Sequence, residues 1–284
     1  MRARPRTIQI YLPNGDPRGI RVAELTTSII RVVEVPRSML PEFKQMPEAE
    51  QVALYFLFGN GEAQDSMVYI GQSGCVSKRL DTHNNNKDFW NKALVVVSMT
   101  NNLTQTHVQY LEWSSIRAAM EVGRYAVENG NAGTKPHTPA PLQADCEDIQ
   151  DTARMLLATL GFPVFEPIAA QPSNGTPVEL FFCTGGGIDG VGEYTAEGFV
   201  VLKGSKGRLA TVASYGVANE TMRAKLISSG VMQEEGGFLV FTKDHAFSSP
   251  SSASMALLGR TSNGWLDWKS ADGKTLDDVK RKTT

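Results

Sequence analysis

In "TIQIYL" (7–12) apolar and polar residues alternate, and Ile8, Ile10 and Leu12 share one face, the period of a half-buried strand. "PNGDPRG" then turns the chain and "IRVAEL" resumes the extended pattern, which predicts a β-hairpin ahead of the main domain. "VALYFLF" (52–58) and "MVYIG" (67–71) are apolar runs of strand length, and the polar "GNGEAQDS" between them predicts a second hairpin. "ALVVVSM" (93–99) reads as a third strand. From about Thr104 to Val127 the period becomes helical, with Val108, Leu111, Ile116, Ala119, Val122 and Ala126 as the apolar stripe. "NGNAGTKPHTPAP" (129–141) breaks that pattern, the helix "CEDIQDTARMLLATLG" follows, and "EPIAAQPSNGTP" (166–177) reads as a domain boundary. Beyond it "GFVVLKG" and "GGFLVFT" are strand-like and "ETMRAKLISSG" is helical, with Gly230 as its cap. A further helix in "SSPSSASMALLG" has Ser249 at the N-cap, Pro250 at the first position and Gly259 at the end.

The expected fold is α+β. A small antiparallel three-stranded sheet flanked by helices occupies residues 46–130, preceded by an N-terminal hairpin extension over 1–45. Residues 131–177 form a linker containing a helix, and 178–284 a second, smaller domain of mixed α/β type.

The chain has 284 residues with a formal net charge of -2, so nothing global favours nucleic acid and any phosphate attraction must be local. Arginines at 2, 4, 6, 18, 21, 31 and 37 form one N-terminal concentration, read equally as a phosphate-facing patch or a solvated arm. Cys75, Cys146 and Cys183 are too few and too scattered for a disulfide framework or a zinc site, which points to a reducing compartment. No apolar run reaches membrane-spanning length, and the basic start lacks a signal-peptide core, so the expectation is a soluble cytoplasmic protein without membrane partners.

Strand alternation places Val52, Leu54, Phe56 and Phe58 on one face and Ala53, Tyr55 and Leu57 on the other. Tyr69 opposes Val68 and Ile70 in the partner strand, so a suitable register puts Tyr55 and Tyr69 on the same face, an arrangement that also serves plain packing. After the turn at Ser73 and Gly74, Val76 and Leu80 face the core of the next helix, and Arg79 and His83, also four residues apart, border that face. Glu112 falls within the apolar stripe of the long helix. A carboxylate there calls for an ion pair, with Arg79 a candidate, or for a metal ion.

The set "ALY" (53–55), "YIG" (69–71), Arg79, His83 and Glu112 resembles the GIY-YIG nuclease superfamily in order and in the spacing from the YIG tyrosine to the arginine. "NLTQTHVQYLE" leading into Glu112 is similar to that family as well. The stretch "FSSPSSASMALLGRTSNGWLDWKSADGKTL" resembles a domain of unknown function often attached to GIY-YIG domains in bacterial and phage proteins. Two positions depart from the family: the first motif begins with Ala53 where the family has glycine, and Gln72 follows YIG where the repair branch carries lysine.

The resemblance implies a metal-dependent endonuclease that hydrolyses phosphodiester bonds, with DNA as the expected substrate. Glu112 would hold Mg²⁺ or Mn²⁺, Tyr55 would orient or deprotonate water with His83 as its base partner, Arg79 would grip the scissile phosphate and Tyr69 would position water or phosphate. On this reading activity falls as His83 is protonated through the ordinary imidazole range. The alternatives are a catalytically idle module of the same fold that binds nucleic acid or protein, and an RNA-directed nuclease. "KGSKGR" (203–208) and "KRK" (280–282) suggest phosphate contacts in the C-terminal domain, which is also the expected place for a homodimer or protein partner. Trp265 and Trp268 are read as core more readily than as base-stacking groups.

Overall fold

A computed structural model describes residues 5–61, 66–169, 178–185, 187–212 and 215–282. Part of the loop between the two central hairpin strands and most of the expected boundary loop at 166–177 lie outside those residues. The fold is mixed α+β and, among the described residues, has two sheets, eight α-helices and no closed barrel. The chain divides into two compact units, Met1–Glu166 and Pro167–Thr284.

The first unit contains β1 (Ile8–Tyr11), β2 (Arg21–Leu25), β3 (Ile30–Pro36), α1 (Leu40–Phe43), β4 (Ala53–Asn60), β5 (Ser66–Ser73), α2 (Val76–Asn86), β6 (Trp90–Ser98), α3 (Gln105–Val122), β7 (Ala126–Val127) and α4 (Ala140–Thr159). Its sheet is seven-stranded in the order β1-β2-β3-β6-β4-β5-β7, antiparallel except for the β5–β7 pair. The expected three-stranded sheet is therefore too small. Its strands form the contiguous β6-β4-β5 part of the sheet, and the N-terminal hairpin continues into it. The join is β3, absent from the sequence reading, which pairs with β6 from Ile30↔Ser98 to Pro36↔Lys92.

Both faces of the sheet are covered, and this explains why β3, β4 and β6 read as nearly continuous apolar runs. One face carries Leu54, Phe56, Phe58, Ile70, Leu94 and Val96 against α3 and α4. The other carries Tyr55, Leu57, Val95 and Val97 against Leu40 and Phe43 of α1 and Val76 and Leu80 of α2. Helix α4, expected inside a linker, belongs to this core, since Cys146, Ala153, Leu156 and Leu157 are fully or almost fully buried at helical spacing. Helix α3 ends at Gly123, whose φ of 64° is the left-handed cap that glycine supplies without strain.

The second unit contains β8 (Leu180–Gly185), β9 (Ile188–Thr195), β10 (Gly198–Val201), β11 (Lys206–Arg208), α5 (Val217–Ser228), β12 (Met232–Glu235), β13 (Phe238–Phe241), β14 (His245–Phe247), α6 (Pro250–Leu258), α7 (Gly264–Asp267), β15 (Lys269–Ser270) and α8 (Leu276–Lys280). They form an eight-stranded sheet with the path β12-β13-β11-β9-β10-β14, β8 joining β9 to β15. Helix α6 starts at Ser249, whose side chain accepts the Ser252 N–H, and stops at Gly259 with φ 62°. Trp268 is fully buried, lies 4.3 Å from Phe199 with the rings tilted by 35°, and donates its indole N–H to the Pro250 carbonyl, so it is core. Trp265 is half-buried, with the Arg281 guanidinium 3.4 Å from its ring centroid.

Candidate active site

Register brings the two tyrosines together. Tyr55 of β4 stands opposite Gly71 of β5, and Leu57 stands opposite Tyr69, so Tyr55 and Tyr69 are diagonal neighbours on one face with ring centroids 6.3 Å apart. The Tyr55 hydroxyl lies over Gly71. A Cβ on Gly71 would sit 2.3 Å from Tyr55 Oη, so the glycine of "YIG" is required by close approach of a side chain, not by its φ. Ala53 is buried opposite Ser73, and a methyl group is accommodated there.

Helix α2 supplies the next groups. Val76 and Leu80 anchor it to the sheet and turn His83 inward, leaving that residue 4% exposed while Arg79 stays at the surface. His83 Nε2 is 2.8 Å from Tyr55 Oη, and Arg79 Nε–H donates to the same hydroxyl at 3.3 Å. Tyr55 Oη accepts from Arg79, and with His83 in its Nδ1–H tautomer the Tyr55 proton is donated to the Nε2 lone pair. Burial, with Arg79 and Lys87 opposing a further charge, pushes His83 down to about 4. Burial likewise pushes the Tyr55 phenol up, only partly offset by the Arg79 hydrogen bond. The resting pair is therefore a neutral phenol hydrogen-bonded to a neutral imidazole.

Glu112 approaches from the opposite layer. The stripe that buries α3 includes Val108, Leu111, Ser115, Ile116 and Ala119, and Glu112 falls within it, between Ala119 and Ile116 around the helix, though itself only half-buried. Burial raises its carboxyl, opposed by the backbone N–H of Gln72 and by Arg79. It thus reaches round the end of β5, where Gln105 of α3 also bonds Gln72 at 2.5 Å. The structure places Tyr55, Tyr69, Arg79 and His83 in one cluster, with Glu112 within electrostatic reach of Tyr55 and Arg79.

Other side chains complete the surround and were not singled out by sequence. Asn129 donates from Nδ2 to the Ile70 carbonyl at 2.6 Å and accepts the Ile70 N–H at 2.9 Å, extending the β5–β7 pairing by one side chain. Lys87 Nζ lies 4.5 Å from the centroid of the Tyr69 ring and 2.6 Å from Glu128. Asn129 sits in "NGNAG", which composition marks only as a break, and Lys87 gives no pattern of its own. His107 caps α3 through Thr104.

Among the described residues no group of three or more His, Cys, Asp or Glu side chains converges on a metal position. A lone, partly desolvated carboxylate suits Mg²⁺, which is content with one carboxylate plus waters and phosphate oxygens. No helix among the described residues is long and apolar enough to cross a membrane. In the second unit the "KRK" cations are paired, Lys280 with Glu179, Arg281 with Asp277, and Lys282 with Asp277 and Asp278, so they are weak candidates for phosphate contacts.

Residues 181–280 match the family model of a domain of unknown function, DUF4357. No curated protein and no solved structure matches the chain.

Proposed function

We propose that the first unit is a metal-dependent endonuclease of GIY-YIG type, acting on phosphodiester bonds of DNA. The observation that carries this reading is the hydrogen-bonded Tyr55–His83 pair under the exposed guanidinium of Arg79, with Tyr69 beside it and Glu112 at the strand end. A core needs none of these polar groups, and burying them costs free energy that a catalytic role would justify. The match of residues 181–280 to a domain of unknown function is in keeping with the resemblance of the C-terminal sequence.

Arg79 presents a rigid fork of donors to a phosphate oxygen and balances the charge that develops in the transition state. Its bond to Tyr55 is long, at 3.3 Å, so a phosphodiester competes well for the guanidinium. As water attacks phosphorus, its proton passes to Tyr55 Oη while the Tyr55 proton passes to His83 Nε2, leaving imidazolium and a neutral phenol; the P–O bond to the leaving sugar oxygen breaks on the opposite side, and that oxygen takes its proton from solvent. Tyr69, half-exposed, orients the water or the phosphate. Glu112 would hold the Mg²⁺ or Mn²⁺ ion, which when bound polarises the phosphoryl group as a Lewis acid.

Incubation with supercoiled plasmid, single-stranded DNA and RNA, each with Mg²⁺ and with EDTA, tests the proposal. Nicking or linearisation of the plasmid only with the metal is expected. Cleavage of RNA alone would make it an RNA-directed nuclease, and binding without any cleavage would make it an idle binding module.

A further inference from the structure

Arg79, His83 and Lys87 lie at successive four-residue steps along α2 and its C-terminal cap, so two cations flank one imidazole on the same helix face. Lys87 is not an ordinary surface lysine. Its ammonium lies over the Tyr69 ring at 4.5 Å, and that ring is 5.0 Å from the His83 ring. Its carboxylate partner is itself tied to the site, because the Glu128 N–H donates to the carbonyl of Val68, next to Tyr69 in the strand. The ion pair thus spans from the end of α2 to β5 across the face of the tyrosine.

We propose that Lys87, held by Glu128, is a positioning residue of the site that fixes the Tyr69 ring against the His83 imidazole and, with Arg79, sets two cations on either side of that imidazole. The role rests on the nuclease reading only for its catalytic consequence, since the electrostatics can be measured without activity. The groups facing His83 are Tyr55 from β4, Tyr69 from β5, Arg79 and Lys87 from α2, and Glu128 beyond β7. Arg79 and Lys87 oppose its protonation and Glu128 favours it. The two halves of one salt bridge therefore act on the imidazole with opposite sign, which separates this role from that of a plain surface clamp.

The test is an NMR titration of the imidazoles in the full-length chain, whose four histidines are assigned with the help of His83→Gln. Lys87→Met should raise the His83 midpoint by about half a pH unit and Glu128→Gln should lower it by a similar amount, as expected for a unit charge several ångströms away in a partly solvated site. Lys87→Arg, which keeps the charge and the ring contact, should restore the wild-type midpoint. The acid limb of the single-turnover pH–rate profile should move in the same sense as each midpoint. Shifts of the same sign in Lys87→Met and Glu128→Gln, or no shift in either, overturn the proposal. If the NMR midpoints move as stated while no variant or wild type cleaves nucleic acid, the positioning role stands and the nuclease reading fails.

Discussion

Placing a methyl group on Gly71 perturbs the site at its tightest point. The added Cβ meets Tyr55 Oη at 2.3 Å, Cζ at 2.5 Å and Cε2 at 3.0 Å, about 1 Å inside ordinary contact. Tyr55 cannot retreat, because it is fully buried and held by His83 and Arg79. Overpacking of this kind costs about 1–3 kcal/mol, and loss of the buried Tyr55–His83 hydrogen bond adds about 1 kcal/mol. Gly71→Ala should therefore destabilise the first unit by about 2–4 kcal/mol, and each kcal/mol corresponds to about 2–4 °C in Tm for a unit of this size. Tyr55→Leu alone leaves a cavity and costs about 2–4 kcal/mol, but it removes the ring that the methyl strikes. The double variant should be more stable than the sum of the singles predicts by about 2 kcal/mol. Amide hydrogen exchange of β4 and β5 in the full chain reads this unit separately from the second. A cost below about 0.5 kcal/mol for Gly71→Ala, or additivity within that margin, would refute the close approach of Tyr55 to Gly71.

Three further outcomes follow from the same contacts. His83 binds its proton near the ordinary value when unfolded and only near 4 when folded, so between those pH values the unfolded chain holds more protons and stability rises with pH. Urea unfolding should show a loss of about 2 kcal/mol between pH 7 and pH 5 that His83→Gln abolishes, whereas an unchanged slope in that variant would remove His83 as the cause. Arg223 of α5 is 4% exposed and its guanidinium finds no acceptor among the described residues, so Arg223→Met should leave stability equal or raise it by about 1–3 kcal/mol; a loss above 1 kcal/mol in thermal or urea unfolding would mean that the charge is compensated. Tyr55→Phe and Arg79→Ala should slow single-turnover cleavage by about 10²–10³-fold while fluorescence-anisotropy Kd values change little, and parallel losses in affinity would make both residues binding groups.

The parts of the site visible in the sequence are those with a local period. Alternation puts Tyr55 and Tyr69 on their faces, and the helical step relates Val76 and Leu80 to Arg79 and His83. What pairs with what is not local. The union of β3 with β6 depends on two apolar runs far apart in the chain, so a three-stranded sheet and a separate hairpin satisfied the same pattern. Helix α4 is legible as a helix, but the surface it packs against is not. The helical period places Glu112 within the apolar stripe of α3 and the structure keeps it there, but its meeting with the N–H of Gln72 depends on where the helix crosses β5 and has no local signal. The need for Gly71 arises only in three dimensions, from a ring on the neighbouring strand. Asn129 acts through a side chain that substitutes for a backbone ladder, which composition does not reveal.

Metal-dependent cleavage by the wild type beside Glu112→Gln is the most direct test of the central claim. The variant keeps the side-chain volume and an oxygen that can accept the Gln72 N–H, so circular dichroism and Tm should match the wild type. With supercoiled plasmid and Mg²⁺, the wild type should convert the substrate to nicked or linear product. Glu112→Gln should be slower by at least about 10²-fold at every Mg²⁺ concentration, and EDTA should stop the wild type. Equal Mg²⁺-dependent rates for the two proteins would contradict the assignment of Glu112 as the metal-holding carboxylate, and absence of cleavage by the wild type with either Mg²⁺ or Mn²⁺ would contradict the endonuclease itself.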